Sequence, residues 1–189
     1  MVRAFAPDVD AGPLAAHGVY AAAALSADAC LAVRAAMDAG SASPAEVAEG
    51  GYLANRRVRD AQDIDISPAG LAVVERAVSL SMPAIADRFG MSLSGREGTG
   101  LVRYGAGVGY RRHRDVGAGV PRVISVVLFL NSAGEGVFEG GALRFYDQDE
   151  PLFEITPTAG ALVAFAASRV HEVRPITFGI RDVAVDWLY

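Results

Sequence analysis

Residues 181–188 read Arg181-Asp182-Val183-Ala184-Val185-Asp186-Trp187-Leu188, and this stretch decides the fold class. Alternation with a period of two is the mark of a strand whose two faces meet different surroundings. Arg181, Val183, Val185 and Trp187 share one face, and Asp182, Ala184 and Asp186 share the other. The two aspartates are expected to mark the outside, which turns Arg181 inward with the valines. An arginine in an apolar lining calls for an anionic partner, because burying a lone charge is costly. Upstream, the runs Leu101–Tyr104, Tyr110–Asp115, Arg122–Asn131, Ala142–Tyr146, Leu152–Thr156, Ala161–Phe165 and His171–Val173 are also rich in β-formers and are separated by Gly, Asp and Pro turns. Closely spaced short strands of this kind build a sandwich or barrel.

Before residue 99 the pattern is mainly helical. Ser26 is a helix cap, and the helix it opens runs to about Asp38, with Leu31, Val33, Ala35 and Met37 inside and Gly40 just beyond. Ser41–Gly51, small and polar, reads as a loop. A second helix starts at Ser67-Pro68, with the proline at its first position. It carries Leu71, Val74, Val78, Met82, Ile85 and Phe89 at spacings mostly of three or four and stops at Gly90. Pro83 should kink or split it. With no internal repeat or linker, residues 1–189 are expected to form one domain, with 1–98 a largely helical buttress and 99–189 the β core.

Composition narrows the functions. Hydrophobic residues make up 52% of the chain and charged residues 21%, with mean hydropathy +0.28, which excludes a disordered polypeptide. No apolar run approaches the roughly 18 residues of a membrane span, and Asp8 and Asp10 precede any apolar run, unlike a secretory signal. The net charge of −5 argues against nucleic-acid binding, which rests on phosphate neutralisation. All seventeen basic residues are arginines. Without a lysine amine, Schiff-base and P-loop chemistry are excluded. The single cysteine, Cys30, excludes an internal disulfide and points to a reducing cytoplasm. It falls in the apolar pattern of the first helix and reads as core, while His17 reads as a surface or capping residue.

In His113-Arg114-Asp115, the imidazole and carboxylate converge on one side of a strand while Arg114 faces away. His171 opens a later strand, and Arg181 follows ten residues after it. Two imidazoles and one carboxylate on one face of an octahedral metal are diagnostic of non-haem Fe(II) oxygenases. His-Arg-Asp also spells the protein-kinase catalytic loop, but that reading fails for want of a lysine and of a following Asp-Phe-Gly.

From about residue 100 onward the chain resembles the prolyl-4-hydroxylase-like branch of the iron(II)/2-oxoglutarate-dependent dioxygenases. The matching landmarks are Arg103-Tyr104-Gly105, Tyr110, His113-Arg114-Asp115, Arg122, Leu130-Asn131, Gly140-Gly141 with Phe145, Pro157–Ala161, Phe165, His171, Gly179, Arg181 and Trp187. The resemblance implies a mainly β fold with N-terminal helices, a double-stranded β-helix or jelly roll of about eight core strands. It implies that His113, Asp115 and His171 hold Fe(II) and are the catalytic set. By the same resemblance Arg181 binds the distal carboxylate of 2-oxoglutarate with its fork of donors, Tyr104 hydrogen-bonds that cosubstrate, and Trp187 walls the pocket. O2 is the second cosubstrate and ascorbate a supportive reductant. Tyr110, Arg112 and Arg56 are the substrate-side candidates. Arg56 belongs to the basic cluster 55–59, and at most one of Arg111 and Arg112 should point inward.

Two departures stand out. Gly140-Gly141-Ala142-Leu143 replaces the family's frequent Gly-Gly-Glu-Thr, and Phe129 stands where some relatives carry a tyrosine. Asp115 disfavours a halogenase, which usually has a small residue there. The expected reaction is hydroxylation of an aliphatic C–H bond of an amino acid or small metabolite, with 2-oxoglutarate decarboxylated to succinate and CO2. A small-molecule partner is favoured because nothing resembles a peptide-docking module. The alternatives are a peptidyl-prolyl hydroxylase and a non-catalytic jelly-roll metal-binding or sensor protein. A cupin is disfavoured, since no HxH pattern is present. The glycine-rich segment 132–141 is expected to be a lid. The oligomeric state stays open.

Overall fold

The computed structural model describes residues 11–47, 53–54, 61–116, 119, 121–134 and 136–189. Arg56 and the rest of its basic cluster lie outside the described residues. The helices are α1 (Ala11–Ala16), α2 (Ala27–Asp38) and α3 (Pro68–Phe89). A seven-stranded antiparallel sheet is built from β1 (Val19–Ala23), β2 (Ser41–Pro44), β5 (Gln62–Asp65), β6 (Gly100–Tyr104), β8 (Ile124–Phe129), β12 (Ala161–Ala166) and β15 (Arg181–Leu188), in the order β1-β12-β8-β15-β6-β5-β2. A second sheet has the order β11-β10-β13-β7, from β7 (Tyr110–His113), β10 (Leu143–Asp147), β11 (Glu150–Ile155) and β13 (His171–Val173). Two small pairs complete the set: β3 (Glu46–Val47) with β4 (Leu53–Ala54), and β9 (Phe138–Gly140) with β14 (Ile176–Gly179). This is the mainly β jelly roll that the strand pattern and the resemblance imply.

Two apolar layers explain the stacking. On one face of the large sheet, Leu101, Val126, Leu128, Leu162 and Ala184 pack against Cys30, Val33 and Met37 of α2 and Val74, Val78 and Ile85 of α3. On the other face, Val102, Val127, Phe129, Val163 and Val183 meet Leu143, Phe145 and Val173 of the second sheet. Every residue of β8 is buried, as befits a central strand covered on both sides.

The sandwiching corrects the first expectation about β15. Asp182 and Asp186 are fully buried. Their face is covered by the helical layer, and each is neutralised there: Asp182 by Arg103 and Arg34, and Asp186 by Arg96 at 2.6 Å. Arg181 still lies on the opposite face with the valines.

The helices start and stop where their caps predict. Ser26 accepts from the Ala29 amide and Ser67 from the Gly70 amide, while Gly90 closes α3 in the left-handed conformation. On α2 the buried residues are Cys30, Val33 and Met37, whereas Leu31 and Ala35 are exposed. The expected inward set ran at a spacing of two, which a helix of 3.6 residues per turn cannot keep on one side. Continuity of α3 through Pro83 is the second difference. Pro83 and Ser79 are both exposed, so the carbonyl the proline frees faces solvent. By length and composition α3 could cross a membrane, although no such run was expected; here Val74, Val78 and Ile85 seat it on the sheet.

The N-terminal part is also less helical than expected. The segment read as a loop contains β2, and β1, β2 and β5 widen the large sheet at both edges. Ala21–Ala23 and Ser41–Pro44 are small-residue stretches, weak in β-propensity, that become strands because a sheet edge is available to pair with. Within the expected lid, β9 pairs with β14 and Phe138 is fully buried, so residues 138–140 are anchored in the fold.

Candidate functional site

The site forms where β7 and β13 pair, making His113 and His171 cross-strand neighbours with ring centroids 4.2 Å apart. Asp115 lies two residues past the end of β7, and its amide donates to the Ala167 carbonyl at 2.9 Å. Arg114 turns the other way and donates to the Ser168 carbonyl at 2.7 Å. His113 Nε2 lies 3.4 Å from Asp115 Oδ1, and His171 Nε2 lies 3.6 Å from Oδ2. One ligand atom from each of the three residues falls within 4.8 Å of the others. Ligands bonded at right angles to a small octahedral cation stand about 3 Å apart, so modest contraction brings the three onto one ion.

The donor chemistry fits a divalent cation. His113 Nδ1 meets the Arg111 carbonyl at 2.7 Å and His171 Nδ1 meets the Arg169 carbonyl at 2.9 Å. A carbonyl can only accept, so both Nδ1 atoms carry hydrogen and both Nε2 lone pairs point to the shared centre. Burial, then the neighbouring His113, push the His171 imidazole down to about 4, which keeps it neutral and able to ligate at neutral pH. Burial by itself would raise the Asp115 carboxyl, but His171, His113 and Ser125 together outweigh it and hold the group well below the usual carboxylate range.

Arg181 lines the same cavity from β15, together with Val183, Val185 and Trp187. It is 1% exposed, with its guanidinium carbon 5.1 Å from the Tyr104 ring and 5.5 Å from the Phe129 ring. Tyr104 reaches the cavity because it is the register partner of Arg181. Gly141 makes room for the Arg181 side chain. At φ +67°, it leaves open a space in which a Cβ would sit 2.7 Å from Arg181 Cδ. The apolar wall thus holds a cation at one end and a two-imidazole, one-carboxylate cluster at the other, a layout suited to a small dicarboxylate that ligates metal at one end.

The structure separates the remaining candidates. Tyr110 lines the cavity and stacks on His113, with centroids 3.5 Å apart and planes 19° from parallel. Trp187 lines it as well and carries the Arg122 guanidinium over its ring at 3.8 Å. Arg122 is itself fixed by two 2.6 Å bonds to Glu97. Arg112 does not reach the cavity: it pairs with Asp149 and lies over the Tyr146 ring at 4.8 Å. The reason is the pleat, since Arg112 precedes His113 on the strand and takes the opposite face. Cys30 is buried as expected, and His17 is half-buried and stacked on Phe153 at 4.8 Å. The residue missed by sequence reasoning is Ser125, whose hydroxyl donates to Asp115 Oδ2 at 2.5 Å. Its signal was legible: it is the one polar side chain in the run Ile124–Phe129.

Residues 99–189 match the family model of the 2OG-Fe(II) oxygenase superfamily. A PKHD-type hydroxylase of Picosynechococcus sp. is 36% identical over 88 residues, which is 46% of this chain and 39% of that protein. The chain thus spans about two-fifths of the length of the curated relatives it matches. Among solved structures, a Pseudomonas putida prolyl-4-hydroxylase aligns with a TM-score of 0.73 and 28% identity, over 93% of this chain and 94% of that one. A Trichoplax adhaerens prolyl hydroxylase in complex with a hypoxia inducible factor oxygen degradation domain peptide fragment aligns with a TM-score of 0.74 and 20% identity, over 95% of this chain and 86% of that one.

These likenesses overturn the expectation of a free small-molecule or amino-acid partner. That expectation rested on the lack of a docking module, yet the solved structures of this fold that the chain resembles include prolyl hydroxylases, one of them in complex with a peptide fragment.

Proposed function

We propose that this chain, whose residues 99–189 match the family model of the 2OG-Fe(II) oxygenase superfamily, is an Fe(II)- and 2-oxoglutarate-dependent hydroxylase of peptidyl substrates, a prolyl residue being the first to test. The observation that carries the reading is the shared cavity, with His113, Asp115 and His171 at one end and Arg181 deeper along β15. The peptidyl substrate is supported by the likeness to prolyl hydroxylases.

His113, Asp115 and His171 would hold the iron, two imidazoles and one carboxylate being the donor set of non-haem Fe(II) oxygenases. The bound iron supplies the oxidising chemistry by which O2 converts 2-oxoglutarate to succinate and CO2 and hydroxylates a C–H bond. The protein's own work is orientation and exclusion of water. Backbone carbonyls of Arg111 and Arg169 lock the imidazole tautomers, and Ser125 fixes the carboxylate rotamer. Arg181 binds the far carboxylate with charge-assisted bonds, and Tyr104 adds a hydroxyl. Valines 127, 183 and 185 keep that end dry. Tyr110 and Trp187, which line the same cavity, would meet the peptide, and ascorbate would serve as a supportive reductant.

The test is to incubate protein purified without oxygen with Fe(II), 2-oxoglutarate and ascorbate in air, with and without a panel of proline-containing peptides. Succinate release and a peptide one oxygen atom heavier are expected. No succinate with any member of the panel would overturn the reading.

A further inference from the structure

On β8 the backbone ladder to β15 ends one residue before Asn131. Phe129 pairs with Val183, the Leu130 amide donates to the Asp182 carbonyl at 3.0 Å, and then the chain turns away. The Asn131 side chain takes over from the departing backbone. Its Nδ2 donates to the Ile180 carbonyl at 2.7 Å, and its Oδ1 accepts from the Asp182 amide at 3.0 Å. One amide therefore grips the peptide groups on both sides of Arg181. Asn131 is 4% exposed, and its two bonds form where water is scarce.

The grip is reinforced from the helical side. Asp182 Oδ1 accepts from Arg103 Nε at 2.7 Å, and Oδ2 accepts from Arg103 Nη2 at 3.0 Å and Arg34 Nε at 2.9 Å. Residues 180–182 are thus held by backbone, amide and ion-pair contacts at the point where β15 begins, a strand end that would otherwise fray. Position 181 is the one in this triplet whose side chain enters the cavity.

We infer that Asn131 is a positioning residue for the dicarboxylate cosubstrate: by clamping the backbone at 180 and 182 it fixes the direction of the Arg181 guanidinium and so sets the affinity for 2-oxoglutarate. The inference rests on the reading of Arg181 as the cosubstrate's anchor. Asn131 touches neither metal nor cosubstrate and acts through the strand.

The test titrates 2-oxoglutarate calorimetrically into the full chain loaded with Mn(II) under nitrogen, so that no turnover is needed. Asn131→Ala should weaken 2-oxoglutarate binding about tenfold, the effect of losing two well-formed hydrogen bonds, while Mn(II) affinity stays within about twofold, since no ligand contact is touched. Asn131→Ser is the second variant, because a hydroxyl one bond shorter keeps polarity without spanning both groups. Ile85→Ala, a cavity in the helical layer far from the cavity lining, serves as a control for lost stability and should leave both affinities unchanged. Equal 2-oxoglutarate affinity in the wild type and the folded Asn131 variants would overturn the inference. Equal weakening of Mn(II) and 2-oxoglutarate, or the same loss in Ile85→Ala, would also overturn it by showing general destabilisation. If the wild type does not bind 2-oxoglutarate, or Arg181→Ala binds it as tightly, the cosubstrate reading itself fails.

Discussion

His113 and His171 are register partners across β7 and β13, so the pairing that closes the second sheet also assembles the metal cluster. Local geometry supplies two of the three ligands from one short motif, and a cross-strand contact supplies the third. The strand pairing and the site thus share one contact.

Ser125 makes the first prediction. Its hydroxyl orients Asp115 at 2.5 Å, and removing such an outer partner typically costs about 10–100-fold in metal affinity. Ser125→Ala should weaken iron binding by that order in an anaerobic metal titration. An unchanged affinity would show that the carboxylate is held by the imidazoles alone.

Arg181→Ala should separate cosubstrate from metal. Charge-assisted hydrogen bonds contribute about 1.5–3 kcal/mol each, so losing a bidentate contact should cost roughly 100-fold or more in 2-oxoglutarate affinity. Iron binding should be retained, because Arg181 lies on β15, away from the three ligands. Parallel loss of both would mark the arginine as structural.

Asp182 is expected to matter for stability more than for chemistry. Its buried carboxylate neutralises Arg103 and Arg34, whose side chains are only 15% and 25% exposed. Breaking a buried pair by removing one partner costs about 3–5 kcal/mol. Asp182→Ala should lower denaturant stability by that order. A loss below about 1 kcal/mol would place the pair in the surface regime instead.

Cys30 gives a pH-dependent prediction. Burial pushes its thiol up from 9.0 to about 11. A group raised in the fold contributes stability that is whole below its unfolded value and is lost as pH rises through its folded value. The contribution is therefore complete below pH 9 and gone above pH 11. At pH 8 the native protein should resist a thiol-alkylating reagent that modifies the denatured chain rapidly. Fast native alkylation would show the thiol to be exposed.

Arg112→Ala should leave 2-oxoglutarate and peptide kinetics within about twofold, as for a solvated ion pair. A larger effect on the peptide KM alone would return Arg112 to the substrate side despite its contact with Asp149.

What could be read from the chain was whatever follows from local spacing. The alternation over 181–188 gave a strand and the correct face for Arg181. The caps Ser26, Ser67 and Gly90 gave helix ends. Strand faces and helix ends rest on the pleat, the helical period or the reach of one side chain, which are properties of a segment alone; the chemistry of His113, Asp115, His171 and Arg181 was implied by the family resemblance.

What only the tertiary structure decided was what covers each face and what meets across it. The aspartates of β15 looked solvent-exposed because alternation distinguishes two faces without saying what lies over the second. Helices α2 and α3 cover it, and Arg34, Arg96 and Arg103 neutralise the charge. Ser125 and Asn131 gained their roles the same way, through partners 10 and about 50 residues distant. A side chain's period is written in its neighbours along the chain; its partner is set by how the layers stack, because the energy of burying a polar group depends on what arrives from elsewhere to satisfy it.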